Sequence, residues 1–397
     1  MRSRSVSPSP YSPCTAGEVF RLIREGHAST RSDLGRLTGL SRTAVTLRIG
    51  QLLEHGLVVE RPAAESTGGR PPVRLEFHVH GGVVLAAAIG ASRSQLAVCD
   101  LAGDILSQTG FSFDTSCGPD AVLDALGDQL DELLAASGHT MREVRGVGVS
   151  LPGAVDTTTG RAVSPTVMPG WGGVAVRDHL AARFPVPVHV DNDVNVLALS
   201  EHRRRPEVDD IVVIKASTGI GAAIIAGGEL QRGARGVAGE IGHIKVSDAG
   251  DDVCRCGDVG CLETVASGWA LVRRLAAAGR EVSDARGVAE LARTGDPEAI
   301  RLLRDAGRRL GEVLAGAVNL LNPALIVIGG DLAYGFEPLA AGVREVIYQR
   351  SSAVATGDLQ IVPSLRDEES GVRACAEMVL DRVLSAEAVD AALAAAR

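Results

Sequence analysis

The sequence predicts an α/β protein with a small helical head at its N-terminus. Between residues 16 and 60, three short helical patterns precede a β-hairpin pattern. From residue 82 onward, apolar strand patterns alternate with helical patterns through Gly-rich corners, which is typical of α/β folds. The longest helices are predicted over residues 263–277 and 297–321. The chain has 397 residues, of which 45% are hydrophobic, so it is long enough for two or three compact units.

Charge is distributed unevenly along the chain. The net charge is −9, yet residues 1–78 hold 11 arginines against 7 acidic side chains. A basic head on an acidic body suits a module that meets phosphates. Residues 1–14 are rich in Ser, Pro and Arg without the apolar run of a secretory signal, so we expect a disordered tail. No apolar run approaches the roughly 20 residues of a membrane span, which predicts a cytoplasmic protein without a membrane partner.

The head is predicted to cover residues 15–78, and its helices have local start and stop signals. These signals are Gly26, Thr30 or Ser32, Gly39 and Ser41. The second helix should point Leu34 and Leu37 inward. The third helix has an apolar stripe: Val45, Ile49, Leu52 and Leu53.

The other face of the third helix is predicted to bind DNA. It carries Ser41, Arg42, Thr43, Thr46, Leu47 and Arg48. Short polar and forked cationic side chains reach base edges and phosphates. Arg70 follows two glycines and precedes two prolines in the hairpin loop, which suits a narrow minor groove. The pattern therefore predicts a winged helix-turn-helix for duplex DNA, with an ordinary three-helix bundle as the alternative.

A metal site is the strongest local prediction in the body. Cys254, Cys256 and Cys261 lie in one Gly-containing loop, and His243 precedes them. Three thiolates and an imidazole complete a tetrahedral shell, so we expect a structural zinc within residues 243–261. Unligated buried thiols are the alternative.

Several motifs together resemble the ROK family (repressors, open reading frames and kinases), over essentially the whole chain. They are the segments 148–153, 191–195, 218–221 and 239–243, the cysteine loop with Leu262-Glu263, and Asn322-Pro323 leading to Gly329-Gly330. The resemblance implies that residues 79–397 form a two-lobed hexokinase/actin-like (ribonuclease H-like) domain. It further implies a sugar pocket made by Asn192, Asp193, Glu240, His243 and Glu263. Carboxylates and an amide suit hydroxyls that both donate and accept hydrogen bonds.

Two departures from the family pattern bear on activity. Family kinases have an Asp-x-Gly-Gly-Thr loop for Mg-ATP, where residues 88–93 here are Ala-Ile-Gly-Ala-Ser-Arg. A degenerate phosphate-binding set remains: Gly90, Thr218, Gly219 and Gly221. Asp193, the general base of a kinase, is kept. The second departure is Thr166 after Pro165, where the family often has Asn, so the sugar is left open.

We therefore expect a sugar-responsive DNA-binding repressor of carbohydrate-utilisation genes. It should act as a homodimer or homotetramer on a pseudo-palindromic operator. The first alternative is an ATP-dependent, glucokinase-like sugar kinase with a regulatory head. The second is a regulator that answers to a protein partner or a phosphorylated metabolite.

Overall fold

A computed structural model describes residues 14–62, 73–90, 94–113, 117–163, 168–247, 249–365 and 369–396. Four of the predicted features lie outside these ranges: the tail up to residue 13, Arg70, residues 91–93 of the phosphate loop, and Thr166.

The head consists of three helices and a hairpin. Its elements are α1 (Ala16–Arg24), α2 (Arg31–Thr38), α3 (Arg42–Glu54), β1 (Val58–Pro62) and β2 (Val73–Phe77), with β1 and β2 antiparallel. Thr30 caps α2 in a capping box with Asp33, and Ser41 caps α3. Gly39 takes a φ of +71° at the end of α2, a conformation that favours glycine. The predicted order of helix, glycine turn and helix is therefore confirmed.

The first lobe is a five-stranded sheet with helices. Its elements are β3 (Val83–Ala88), β4 (Ser94–Asp100), β5 (Ile105–Phe111), α4 (Pro119–Ala136), β6 (Val144–Leu151), β7 (Val155–Asp156), β8 (Arg161–Ala162), α5 (Val176–Arg183) and β9 (Val188–Asn192). The strand order is β5-β4-β3-β6-β9. β3 pairs antiparallel with β4 and parallel with β6, which in turn is parallel to β9.

The second lobe repeats that layout. Its elements are α6 (Asp193–Arg203), β10 (Ile211–Ala216), β11 (Ile220–Ala226), β12 (Glu229–Gln231), α7 (Glu263–Ala266), α8 (Gly268–Ala277), α9 (Ala285–Arg293), α10 (Pro297–Leu321), β13 (Leu325–Gly329), α11 (Phe336–Arg350), α12 (Ala353–Thr356) and β14 (Gln360–Pro363). The order β12-β11-β10-β13-β14 again joins an antiparallel hairpin to two parallel strands. Two sheets of the same topology therefore meet, and the parallel strands of both direct their carboxyl ends at one cleft.

Two last helices return to the first lobe and to the head. α13 (Ser370–Val383) packs on β3 and β6, and α14 (Ala386–Ala395) packs on α1. The backbone N–H of Gly17 donates to Asp390 Oδ1 at 2.8 Å. A side chain at Gly17 would place its Cβ 1.9 Å from the carbonyl oxygen of Ala386. The head is thus held tightly by the last helix of the chain.

The structure corrects two details of the sequence-based prediction. Residues Glu263–Ala277, expected as one helix, form α7 and α8, because Ser267 ends the first and caps the second. Leu37, expected to point inward, is 46% exposed. Within the described ranges, no helix combines the length and the apolar character that a membrane span requires.

Candidate functional site

The junction of β9 and α6 places an acidic group in the cleft. Asn192 ends β9, and its side-chain oxygen accepts from Val194 N at 2.8 Å, so it caps α6. Asp191 is buried and accepts from Arg232 Nη2 at 2.6 Å, which joins β9 to the second lobe. These contacts fix Asp193 in the first turn of α6.

A lysine of the second lobe pairs with Asp193. Lys215 lies in the otherwise apolar strand β10, and its Nζ donates to Asp193 Oδ2. Both side chains are partly buried, with exposures of 27% for Lys215 and 16% for Asp193. The general base that a kinase would need is therefore engaged by an ammonium group. The sequence analysis missed this pair, although a lysine within a buried strand is a signal for it.

The segment 239–243 lies against β11 because two of its residues lack a side chain. Gly239 has a φ of +95°, and a Cβ there would lie 1.9 Å from Ala222 O. A Cβ at Gly242 would lie 2.8 Å from Glu263 Cγ. These close approaches bring Glu240 and His243 beside Glu263.

Two glutamates face the same region with different environments. Glu263 is 3% exposed; its Oε1 accepts from Ile220 N at 2.7 Å, while its Oε2 is buried and has no hydrogen-bond partner among the described residues. Partial burial raises the pKa of Glu240, and the charges of Glu263 and Asp193 raise it further, against the opposing effect of His243. The acidic groups predicted from the sequence are therefore brought together, and one of them offers a buried acceptor.

Four predicted ligands form a cluster that could bind a metal ion. The ligand atoms of His243, Cys254, Cys256 and Cys261 all lie within 4.8 Å of one another. His243 Nδ1 lies 3.7 Å from Cys254 Sγ, and Cys256 Sγ lies 3.7 Å from Cys261 Sγ. A tetrahedron with bonds of about 2.3 Å has edges of about 3.8 Å, so these distances fit zinc geometry. The other ring nitrogen of His243 lies 3.8 Å from Glu240 Oε2, towards the acidic groups.

A lysine lies beside this cluster. Lys245 Nζ donates to Cys261 Sγ at 3.2 Å and pairs with Asp258 Oδ2 at 2.6 Å. A cation at this position offsets part of the negative charge that three thiolates would carry.

A cavity of about 330 Å³ adjoins Asp193 at the carboxyl ends of β3, β6, β10 and β13. Lys215, Gly90, Gly330 and Arg286 line it. The Arg286 guanidinium lies 3.8 Å from the ring centre of Tyr334. Of the degenerate phosphate-binding set, Gly90 is in this wall. The other members lie in the β10–β11 hairpin: Thr218, Gly219 and Gly221.

The head presents most of its predicted DNA-binding residues on one exposed face. Ser41, Arg42, Thr43 and Thr46 are all exposed. Arg48 differs, because it is half-buried and its Nε donates to the carbonyl oxygen of Cys14 at 3.2 Å. The exposed face thus lies at the N-terminal half of α3, which is the half that enters the major groove in helix-turn-helix proteins.

The family model described as ROK family matches residues 84–382. The chain belongs to the ROK family. This confirms the resemblance read from the motifs. The xylose repressor of Caldicellulosiruptor bescii is 27% identical over 384 residues, which cover 92% of this chain and 95% of that protein.

Solved structures of the family support the fold. A ROK family transcriptional regulator, described as a homologue of the E. coli MLC protein, is 27% identical with a TM-score of 0.80 and covers 97% of this chain and 99% of its own. A ROK glucokinase from Streptomyces griseus, solved with glucose and AMPPNP, is 28% identical with a TM-score of 0.65, over 75% of this chain and 99% of its own. The regulator thus matches the head and the body, and both matches confirm the hexokinase-like body.

Proposed function

We propose that this ROK protein is a sugar-responsive transcriptional repressor that binds operator DNA through its head. The observation that carries this proposal is the buried Oε2 of Glu263, a carboxylate oxygen without a hydrogen-bond donor among the described residues. A buried charged acceptor is costly unless it is bonded, so it favours a ligand that donates. Sugar hydroxyls supply such donors.

The sugar would lie among the acidic groups, with Glu263 and Glu240 accepting from its hydroxyls. His243 would contribute the ring nitrogen that faces Glu240, and Asp193 would accept a further hydroxyl. The Asn192 amide oxygen already caps α6, which leaves its NH₂ group for the ligand. The relative named xylose repressor suggests a pentose.

Zinc is the metal that the donor set favours, and it would be held by His243, Cys254, Cys256 and Cys261. With four protein ligands the shell is closed, which is typical of a structural ion. The ion would fix the loop between His243 and Glu263, so that both glutamates keep their places.

Binding of a sugar across the cleft would favour one arrangement of the lobes. Because α14 holds α1, a movement of the body would carry the head with it. We infer a homodimer or homotetramer whose two heads bind half-sites of a pseudo-palindromic operator. Binding to chromosomal DNA would take place in the cytoplasm.

A sugar kinase is the second candidate, favoured by the similarity to the S. griseus glucokinase. The Lys215–Asp193 pair does not decide between the two candidates, because a carboxylate bonded through Oδ2 keeps Oδ1 for a hydroxyl. The absence of an aspartate from residues 88–93 favours the sensor, because it removes the group that organises Mg-ATP in family kinases.

The test is a capture of genomic fragments by the purified full-length protein, followed by binding titrations with xylose, glucose and other free sugars. We expect one enriched inverted repeat and release of it by one sugar. DNA binding without sequence preference at physiological salt would contradict the proposal. A coupled assay with ATP and the same sugars tests the kinase, which predicts phosphorylation that Asp193→Asn abolishes.

A further inference from the structure

The exposed face of α3 has a composition that the fold does not require. Each residue turns a helix by about 100°, so positions 42, 43, 46, 47 and 50 share one arc opposite the buried stripe. The arc consists of Arg42, Thr43, Thr46, Leu47 and Gly50. Apart from Arg42, no residue in this arc is charged, which is unusual for a surface that approaches DNA.

Apolar groups dominate the arc. Leu47 is 58% exposed. The hydroxyl of Thr46 donates to the carbonyl oxygen of Arg42 at 2.9 Å, so its proton is already used within the helix. With that hydroxyl bonded, the methyl group of the exposed Thr46 is left for contact with another molecule, as is the neighbouring exposed Leu47.

Gly50 lies in the middle of the same arc. Glycine within a helix is destabilising relative to alanine. A Cβ at Gly50 would meet nothing within 4 Å among the described residues, so packing inside the protein does not demand glycine here. Its absence of a side chain instead leaves room for another molecule to approach the helix backbone.

We propose that this face recognises thymine, with the 5-methyl groups of thymines packed against Leu47 and Thr46 in the major groove. Thymine is the base that presents a methyl group on the major-groove edge. Gly50 lets the helix approach the groove closely, and Arg42 at the first turn contacts phosphate or a guanine. This inference rests on the proposed DNA-binding function and adds what the head recognises.

The experiment uses the full-length protein and duplexes that it enriches from a random-sequence library. Each selected thymidine is replaced by deoxyuridine, which removes only the 5-methyl group, and affinity is measured by fluorescence anisotropy at fixed salt. We expect one or two positions in each half-site where this replacement weakens binding by about three- to tenfold, the size of a lost methyl contact.

Two variants test whether the discrimination between thymine and uracil depends on the exposed face of α3. Leu47→Ala should lower the affinity for the selected duplex and remove most of the discrimination between thymine and uracil. Leu37→Ala is the matched control, since Leu37 is an exposed leucine on α2 at 46% exposure, and it should keep the discrimination.

Gly50→Ala gives a readout that folding defects cannot imitate. The added methyl should raise the melting temperature of the protein, because alanine favours the helix. The same methyl should weaken binding to the selected duplex by about tenfold or more, since it occupies the approach to the groove.

The outcomes distinguish a failure of this inference from a failure of the proposed DNA-binding function. If no sequence is enriched, the proposed function and the inference are both wrong. If a sequence is enriched and uracil binds as well as thymine at every position, only the inference is wrong. If Leu47→Ala changes the oligomeric state by sedimentation and leaves the thymine discrimination intact, the face is a protein contact and the inference is likewise overturned.

Discussion

The two walls of the cleft differ in how their polar groups are hydrogen-bonded. One wall, which we propose binds the sugar and call the sugar side, holds Glu240, His243 and Glu263, and it keeps a buried carboxylate oxygen without a donor among the described residues. The other wall, the phosphate side, holds Gly90, Lys215 and Gly330 around the cavity. There the lysine is already paired with Asp193. The chain thus keeps an unpartnered carboxylate oxygen where a polyol would bind, whereas the carboxylate beside the phosphate side is bonded through one of its oxygens to a lysine.

This difference shows how a kinase-like body can serve as a sensor. Recognition of hydroxyls needs fixed acceptors, and we propose that several of these are held in place by one loop that could bind a metal. Phosphoryl transfer needs a positioned base and a charge-neutralising phosphate site at once. A body that has lost the phosphate site can therefore still bind a sugar through its fixed acceptors.

The largest expected effect concerns the loop that fixes the sugar side. Cys254→Ser should reduce the zinc content from about one ion per chain to near zero and abolish sugar binding, because a three-ligand shell no longer holds the loop. Metal analysis and calorimetric sugar titration measure both. Cys117→Ser is the control, since Cys117 is an exposed cysteine outside the loop, and it should retain the metal. Wild-type protein without zinc would refute the metal assignment.

A smaller effect is expected from Glu263→Gln. The amide keeps the acceptor that bonds Ile220 N and replaces the buried Oε2 by a donor. Hydrogen bonds to charged groups are worth about 1.5–3 kcal/mol, so sugar affinity should fall about ten- to a hundredfold. Titration calorimetry gives the affinity, and Glu229→Gln on the exposed edge strand β12 serves as the control. Unchanged affinity would remove Glu263 from the sugar site.

The phosphate side is tested by Lys215→Met. Removal of the ammonium leaves Asp193 without its partner, which should destabilise the protein by about 1 kcal/mol after discounting for partial exposure. Denaturant unfolding of the single and double variants with Asp193→Asn should give a coupling of similar size. None of these three variants should phosphorylate a sugar. Kinase activity gained on losing Lys215 would show that the lysine alone blocks transfer, and the comparison of the two walls would need revision.

The smallest effect is expected at the edge of the phosphate side. Arg286→Met should leave sugar-dependent release of DNA within about twofold of the wild type, as is usual for substitutions away from a site. Anisotropy titrations in the presence of sugar measure the release. A large change would mean that the effector extends into this cavity.

Elements with local signals could be predicted from the sequence to the residue. α10 runs from Pro297 to Leu321 as predicted, because Asp296 caps it, proline suits its first turn, and Asn322 ends it in the left-handed region. The cluster of four candidate metal ligands was predicted for the same reason: the four residues are close in sequence and their chemistry is specific. In each case, short-range interactions decide the outcome.

Features that depend on distant partners could not be predicted. Ser267 interrupts a helix-favouring stretch because the next residue, Gly268, packs on Ser217. A Cβ at Gly268 would lie 2.5 Å from the carbonyl oxygen of Ser217. The Lys215–Asp193 pair joins β10 to α6, and the contact of Arg48 with Cys14 joins α3 to the segment before α1. Periodicity identifies a buried face but not the element that covers it.

The clasp between α14 and α1 has a consequence for synthesis of the protein. Gly17 and Asp390 are 373 residues apart in the chain, so the head is translated before the body and its supporting helix after it. Until α14 is made, the head has only its other contacts with the body, such as the donation from Arg145 Nη2 to the carbonyl oxygen of His55 at 2.8 Å. We therefore expect a chain that stops before α14 to hold its head less firmly, so that a movement of the body would reach the DNA-binding face less effectively.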